Sequence, residues 1–157
     1  MIEKRSKNKT ITRLAAVQAL YLYDIDNVKA DSAIEDVIDY YLSSNPLEEY
    51  GLADVDQIKM IDKKFLHKIF QQTIENLPAI DLQITNLVTR QQEMSRLSSV
   101  LRAILRVGAC ELLFFPTPYK VVIDEYVTLA NEFYSIAEVN FINGMLDKIA
   151  NQVLRPE

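Results

Sequence analysis

Only 3 glycines and 5 prolines punctuate 157 residues. Tight turns draw heavily on those two residue types, so a chain this poor in them is a bad candidate for an all-β fold and a good one for long helices. The apolar residues carry the matching period. Ile11, Leu14, Ala15, Val17, Ala19, Leu20, Leu22 and Tyr23 recur mostly at three- and four-residue spacing, which predicts a first helix capped by Asn8 or Thr10. Asp24, Asp26 and Asn27 end it. Residues 1–9 are polar and read as a loose basic arm, with residues 10–157 forming one helical domain.

Six more helices follow. The second runs from about Ser32 to Leu42 with Ile34, Val37, Ile38 and Tyr41 inward. Asp31 or Ser32 is its expected N-cap, Ser32 and Glu35 having capping-box spacing. Ser43 to Asp54, with Asn45-Pro46 and Gly51, reads as a loop. A long third helix opens at Asp54 or Asp56 and carries Ile58, Ile61, Phe65, Leu66, Ile69, Phe70, Ile74 and Leu77. Pro78 breaks it. A fourth spans 79–90 with Ile80, Ile84, Leu87 and Val88 inward. A fifth runs from Ser95 or Ser98 to Phe114, and its Gly108 either loosens the helix or lets a neighbour pack closely. Pro118 suits the first turn of a sixth, which reaches Phe133 or Tyr134. The last covers Ala137 to Leu154. Asn143-Gly144 would break it on turn statistics, but Phe141, Ile142, Met145, Leu146, Ile149 and Val153 keep the helical period across that step and predict a continuous helix. The expected class is all-α, a compact seven-helix bundle.

Hydrophobic residues make up 49% and charged residues 25%, the balance of a folded soluble domain. The net charge is -5, but its distribution is uneven. Lys4, Arg5, Lys7, Lys9 and Arg13 face only Glu3 within residues 1–13, a local balance of +4, so the remaining body sums to -9. A basic arm on an acidic body is a candidate polyanion contact, or a solvated terminus. The one cysteine, Cys110, lies in an apolar stretch and reads as a small buried hydrophobe in a reduced, cytoplasmic setting. No apolar run has the length of a membrane span.

The sequence offers little for catalysis. His67 is the only histidine and has no nucleophile at a recognisable offset. There is no Cys/His cluster for zinc and no glycine-rich phosphate loop. Paired acids such as Asp124 and Glu125 are ordinary on solvated helix faces. No catalytic residue, no metal and no cofactor are therefore expected. Tyr21 and Tyr23, following the arm on the same helix, are either stacking platforms for unpaired bases or core residues.

Two segments resemble the NusB family. The first is Arg13-Leu-Ala-Ala-Val-Gln-Ala-Leu-Tyr21, where a basic run leads into an A-[VL]-Q-A-L-Y sequence. The second takes in Ala103-Ile-Leu-Arg106, Glu111-Leu112, Pro118 to Glu125, Leu129-Ala130 and Phe141-Ile-Asn-Gly-Met-Leu-Asp-Lys148, in family order. Ile80-Asp81 matches the family's ID step. The arm is richer in lysine than the family's usual run, and Leu14, Gln72 and Tyr134 stand where an acid, a glycine and a glycine are common.

The resemblance implies two packed helical subdomains and a role in transcription antitermination. It implies binding of boxA-type RNA from ribosomal RNA leader transcripts together with NusE, a protein of the small ribosomal subunit. It places the pair with other Nus factors on RNA polymerase. Carried over by position, Lys4, Arg5, Lys7, Lys9 and Arg13 would contact phosphates, Asn140 and Phe141 would meet a base, and Tyr21 would lie near the RNA or NusE face. Asn143 and Gly144 match the motif and are either functional or needed for helix packing. Ile104, Leu105, Leu112, Val121, Ile123, Leu129 and Leu146 are expected in the core. Homodimerisation stays open. Two rivals are the NusB-like part of a ribosomal RNA cytosine methyltransferase, which would need a cofactor-binding domain beyond Glu157, and a protein-binding helical scaffold. Salt-sensitive RNA affinity separates the scaffold from an RNA binder.

Overall fold

A computed structural model describes the backbone of residues 2–43, 61–88 and 97–154, and the side chains of 9–41, 61–88 and 97–153. The described residues form seven helices and no strand: α1 (Ile2–Asp26), α2 (Ala30–Ser43), α3 (Lys63–Glu75), α4 (Leu77–Thr85), α5 (Ser99–Phe114), α6 (Tyr119–Phe133) and α7 (Ile136–Leu154). The chain divides into two compact units, Met1–Gln71 and Gln72–Glu157. No helix among the described residues is long and apolar enough to cross a membrane.

In the first unit, α1 begins at Ile2 rather than at residue 10, so the basic arm is the first two turns of the helix. Lysine, arginine and glutamate are good helix formers, but they leave no apolar period by which the sequence could show it. From Ile11 to Leu20 the helix is buried on almost every side, and small Ala15, Ala16 and Ala19 let neighbours approach. It stops where Asn27 takes a left-handed conformation (φ 53°), a position that asparagine tolerates better than most residues. After this short turn α2 packs against α1 with Ala33, Ile34, Val37, Ile38 and Tyr41. Its first turn lies earlier than expected: the Lys29 carbonyl accepts from the Ala33 N–H, so Asp31 and Ser32 sit inside the helix and do not cap it. Asp31 there still favours the positive end of the helix.

The expected loop over Ser43–Asp54, the helix start at Asp54 or Asp56 and its Ile58 lie outside the described residues, save Ser43, the last residue of α2. Ile61 and Asp62 are not helical, and α3 begins at Lys63. The Asp62 Oδ1 accepts from the Phe65 N–H at 3.0 Å and caps it. An apolar period running across Asp62 hid this start.

The second unit is built around α5. Ser98, one of the two residues expected there, is its cap, with Oγ accepting from the Leu101 N–H at 3.3 Å. Residues 103–105 and 107–112 are buried, and α4, α6 and α7 pack around them. At Gly108 an added Cβ would stand 3.2 Å from Cγ of Tyr126 and 3.3 Å from Leu146. The glycine therefore permits close packing by α6 and α7. Beside it the Tyr126 hydroxyl donates to the buried Glu111 Oε1 at 2.8 Å. Gly108, Glu111 and Tyr126 form one contact, and the carboxyl in an apolar run is explained by its hydroxyl partner. Arg106 binds Asp81 through two parallel bonds of 2.8 Å, from Nε and from a terminal nitrogen, a fork that only arginine provides.

Pro78 lies in the first turn of α4, as its missing N–H requires, and α4 ends at Thr85 rather than near residue 90. Ile80 and Ile84 are buried, Leu87 and Val88 half-buried. Val121, expected in the core, is 45% exposed. It lies in the first turn of α6, between buried Val122 and the helix end, where apolar character does not report burial. Tyr134 adopts ordinary extended backbone (φ −135°), so glycine is not needed there, and its hydroxyl lies 2.5 Å from the Ser98 Oγ. Gln72, the other departure, accepts from the Asn76 side chain through its backbone carbonyl (2.8 Å) and its amide oxygen (3.2 Å), tying the end of α3. Ser135 Oγ donates to Glu138 Oε1, and this bond lowers the Glu138 carboxyl pKa. The helix α7 runs unbroken through Asn143 and Gly144.

Cys110 is fully buried, and burial pushes its thiol up to about 11, offset in part by a hydrogen bond with Thr73. The thiol should resist alkylation in the native protein at pH 8 and react on unfolding, read by mass spectrometry in a denaturant series. A raised folded pKa means that the folded state holds the proton longer. Stability from this group is full below the unfolded value of 9.0 and falls as pH rises through about 11.

Candidate nucleic-acid interface

The basic end of α1 is anchored by a chain of polar contacts. Thr12 is fully buried, and its Oγ1 accepts from the Asp62 N–H at 3.0 Å. Asp62 in turn caps α3 and fixes its first turn. The third residue of that helix, Phe65, is thereby held against α1. Lys9 places Nζ 5.2 Å from the ring centroid and Arg13 places Cζ 5.7 Å from it. Lys9 and Arg13 are four residues apart and share a helix face. Lys9 is exposed, whereas Arg13 is 4% exposed. A cation over a ring gains about 0.5–1 kcal/mol at the surface and about 2 when desolvated, so the Arg13 contact is the stronger. Exposed Lys9 thus lies over a ring that is tied to α1 through Asp62 and Thr12. Asp62→Ala should lower the unfolding free energy by about 1 kcal/mol through loss of the cap, measured by urea denaturation.

Lys4, Arg5 and Lys7 belong to α1 by backbone, and their side chains lie outside the described ones. Tyr21 is half-buried, while Tyr23 meets Phe70 edge-on at 6.4 Å. Of the two tyrosines, Tyr23 is thus in ring packing.

In the second unit α7 buries Ile142, Met145, Leu146 and Ile149 and exposes Asn140 and Asn143. Phe141 sits half-buried at the border of the two faces. A Cβ at Gly144 would meet nothing within 4 Å. Packing does not require that glycine, in contrast to Gly108, so the helix-packing account of Gly144 is set aside. His67 is exposed on α3. Among the described residues no three His, Cys, Asp or Glu side chains are grouped to hold a metal.

In the sequence Phe65 shows only as one member of the apolar helical period, and Thr12 and Asp62 belong to no motif. A threonine within an apolar run and an aspartate before a Lys-Lys-Phe step were the signals available.

The family model described as NusB family matches residues 10–151. The chain belongs to the NusB family. It is 35% identical over 159 residues to the transcription antitermination protein NusB of Rickettsia africae, covering 99% of both chains. With the protein of that name from Rickettsia bellii it shares 33% over 157 residues, covering 97% of this chain and 96% of the relative. Among solved structures, T. maritima NusB superposes with a TM-score of 0.72 at 28% identity, covering 91% of this chain and 90% of that one. A structure of the antitermination factors NusB and NusE in complex with dsRNA has a TM-score of 0.70 over 96% of this chain and 98% of that one. At 22% identity that likeness shows the fold.

NusB membership gives the separated sequence blocks a common physical content. Asp81 of the ID step and Arg106 of the ILR step are the two halves of one bidentate ion pair. Glu111 of the EL step and Tyr126, which follows Asp124-Glu125, are the two halves of one buried hydrogen bond. These blocks hold the NusB fold together. The RNA-facing expectation rests on the other two, the α1 basic run and the Asn140-Phe141 step.

Proposed function

We propose that this chain is a transcription antitermination factor that binds boxA-type RNA of ribosomal RNA operon transcripts together with NusE, and so promotes processive elongation by RNA polymerase. The near-full-length likeness to proteins named transcription antitermination protein NusB carries the reading. The solved neighbour containing NusB, NusE and dsRNA supports the choice of partners. Lys4, Arg5, Lys7 and Lys9 supply phosphate contacts, with Arg13 acting from beneath through Phe65 and through its charge. Asn140 and Phe141 supply an amide and a ring edge for an unpaired base. Tyr21 lies at the RNA or NusE face. The role is one of binding and needs neither catalytic residue nor cofactor, and its setting is the cytoplasm, with other Nus factors on the polymerase.

The division of labour is physically coherent. Cations give long-range, salt-dependent attraction, while the acidic body limits indiscriminate coating of RNA. A fluorescence-anisotropy titration of a short boxA-like RNA against a scrambled one, with and without NusE, tests it. Tighter binding of the boxA-like RNA that strengthens with NusE is expected. Equal binding of both RNAs in the presence of NusE would overturn the reading and leave a helical scaffold, whose self-association sedimentation would measure.

A further inference from the structure

The residues that follow Asp62 form a second basic surface. Lys63, Lys64 and Lys68 are exposed, with exposed His67 among them. At 100° per residue these positions fall within one broad stripe of α3 that faces away from buried Leu66 and Ile69 and is bordered at Lys63 by buried Phe70. Phe65 stands at the edge of the stripe, one turn before Lys68, and carries Lys9 of α1 on its ring. The two basic surfaces are therefore continuous across one aromatic side chain, within one compact unit.

The placement costs stability in the free chain. The first turn of α3 contains no acid, and its lysines sit at the positive end of a helix dipole, where cations are disfavoured. The Asp62 carboxylate is already used as the cap. Lysines gathered there, beside Lys9 and Arg13, make a field that a polyanion would neutralise. None of the sequence blocks that carry the family resemblance includes residues 63–68.

We propose that Lys63, Lys64 and Lys68 form a second phosphate-binding strip, which takes single-stranded RNA flanking the boxA-type element as it leaves Lys9 across Phe65. This rests on the RNA-binding reading above and adds a second contact surface to it. The strip reads charge and not sequence, so it would lengthen the bound RNA without changing the base preference. It also offsets an arm that is poor in arginine.

The test compares two RNAs on the full chain: the boxA-like core alone and the core with a single-stranded uridine extension, over a salt series. The wild type is expected to bind the extended RNA more tightly. Lys63→Gln/Lys64→Gln/Lys68→Gln should lose that gain, weakening the extended RNA by roughly tenfold or more. Its plot of log affinity against log salt should flatten by roughly 2, at about 0.7 for each lost contact to a single strand. Core binding should change little, and circular dichroism should confirm an unaltered helix content. The triple arginine variant at the same positions should retain the gain. If the wild type binds RNA and the glutamine variant shows the same affinity and slope, the strip is not an RNA surface, and an acidic protein becomes the better occupant. If the wild type binds neither RNA, the antitermination reading itself falls, and the strip with it.

Discussion

Alanine in place of Tyr126 should lower the unfolding free energy by about 4 kcal/mol, within the range for removing a large buried aromatic. The ring is fully buried on α6 and lies over Gly108 of α5, so its loss opens a space lined by backbone and by Leu146 that neighbours fill poorly. The companion Tyr126→Phe separates packing from hydrogen bonding. It keeps the ring and removes one donor from the buried Glu111 carboxyl, a loss of about 1–3 kcal/mol. Guanidinium denaturation followed by circular dichroism measures both. Equal stability of Tyr126→Phe and wild type would show that Glu111 is satisfied without this hydroxyl.

The second large effect lies in binding. Replacing Lys4, Arg5, Lys7 and Lys9 together by alanine should weaken a boxA-like RNA by roughly a hundredfold near physiological salt, since each phosphate contact releases counterions. The slope against log salt should fall by roughly 3, at about 0.7 per contact. The substitutions lie in the first turns of α1, before its buried stretch from Ile11 onward, and alanine keeps helix propensity. Unfolding should therefore change little. A variant that binds as tightly as wild type would remove the arm from the interface.

Periodicity made the inward stripe of α2 and the unbroken course of α7 legible. Both bury one clean face, and there the apolar pattern and the structure are the same fact. The start of α1 was not legible, because charged residues form helix without leaving a period. Asp62 was hidden by Ile58 and Ile61, which carry the α3 pattern back across the cap. Val121, expected in the core by its place in the family resemblance, lies instead on an exposed face. The two glycines of interest look alike in sequence. Only the fold separates Gly108, pressed by Tyr126 and Leu146, from Gly144, which meets open space. The candidate site was legible as a set of residue types, while its anchoring through Phe65 depends on a contact between residues 52 or more positions apart in the chain.

If Lys9 holds a phosphate as proposed, the Thr12–Asp62–Phe65 relay would link folding and ligand capture thermodynamically. A phosphate held by Lys9 engages a side chain whose ring partner sits on the first turn of α3, and that turn is set by a cap fastened to α1. Opening of this turn would compete with such binding, so a bound polyanion would raise the free energy of local opening. The Phe65 amide proton should then exchange with solvent more slowly when RNA is bound, although that proton is itself donated to Asp62 and never to the ligand.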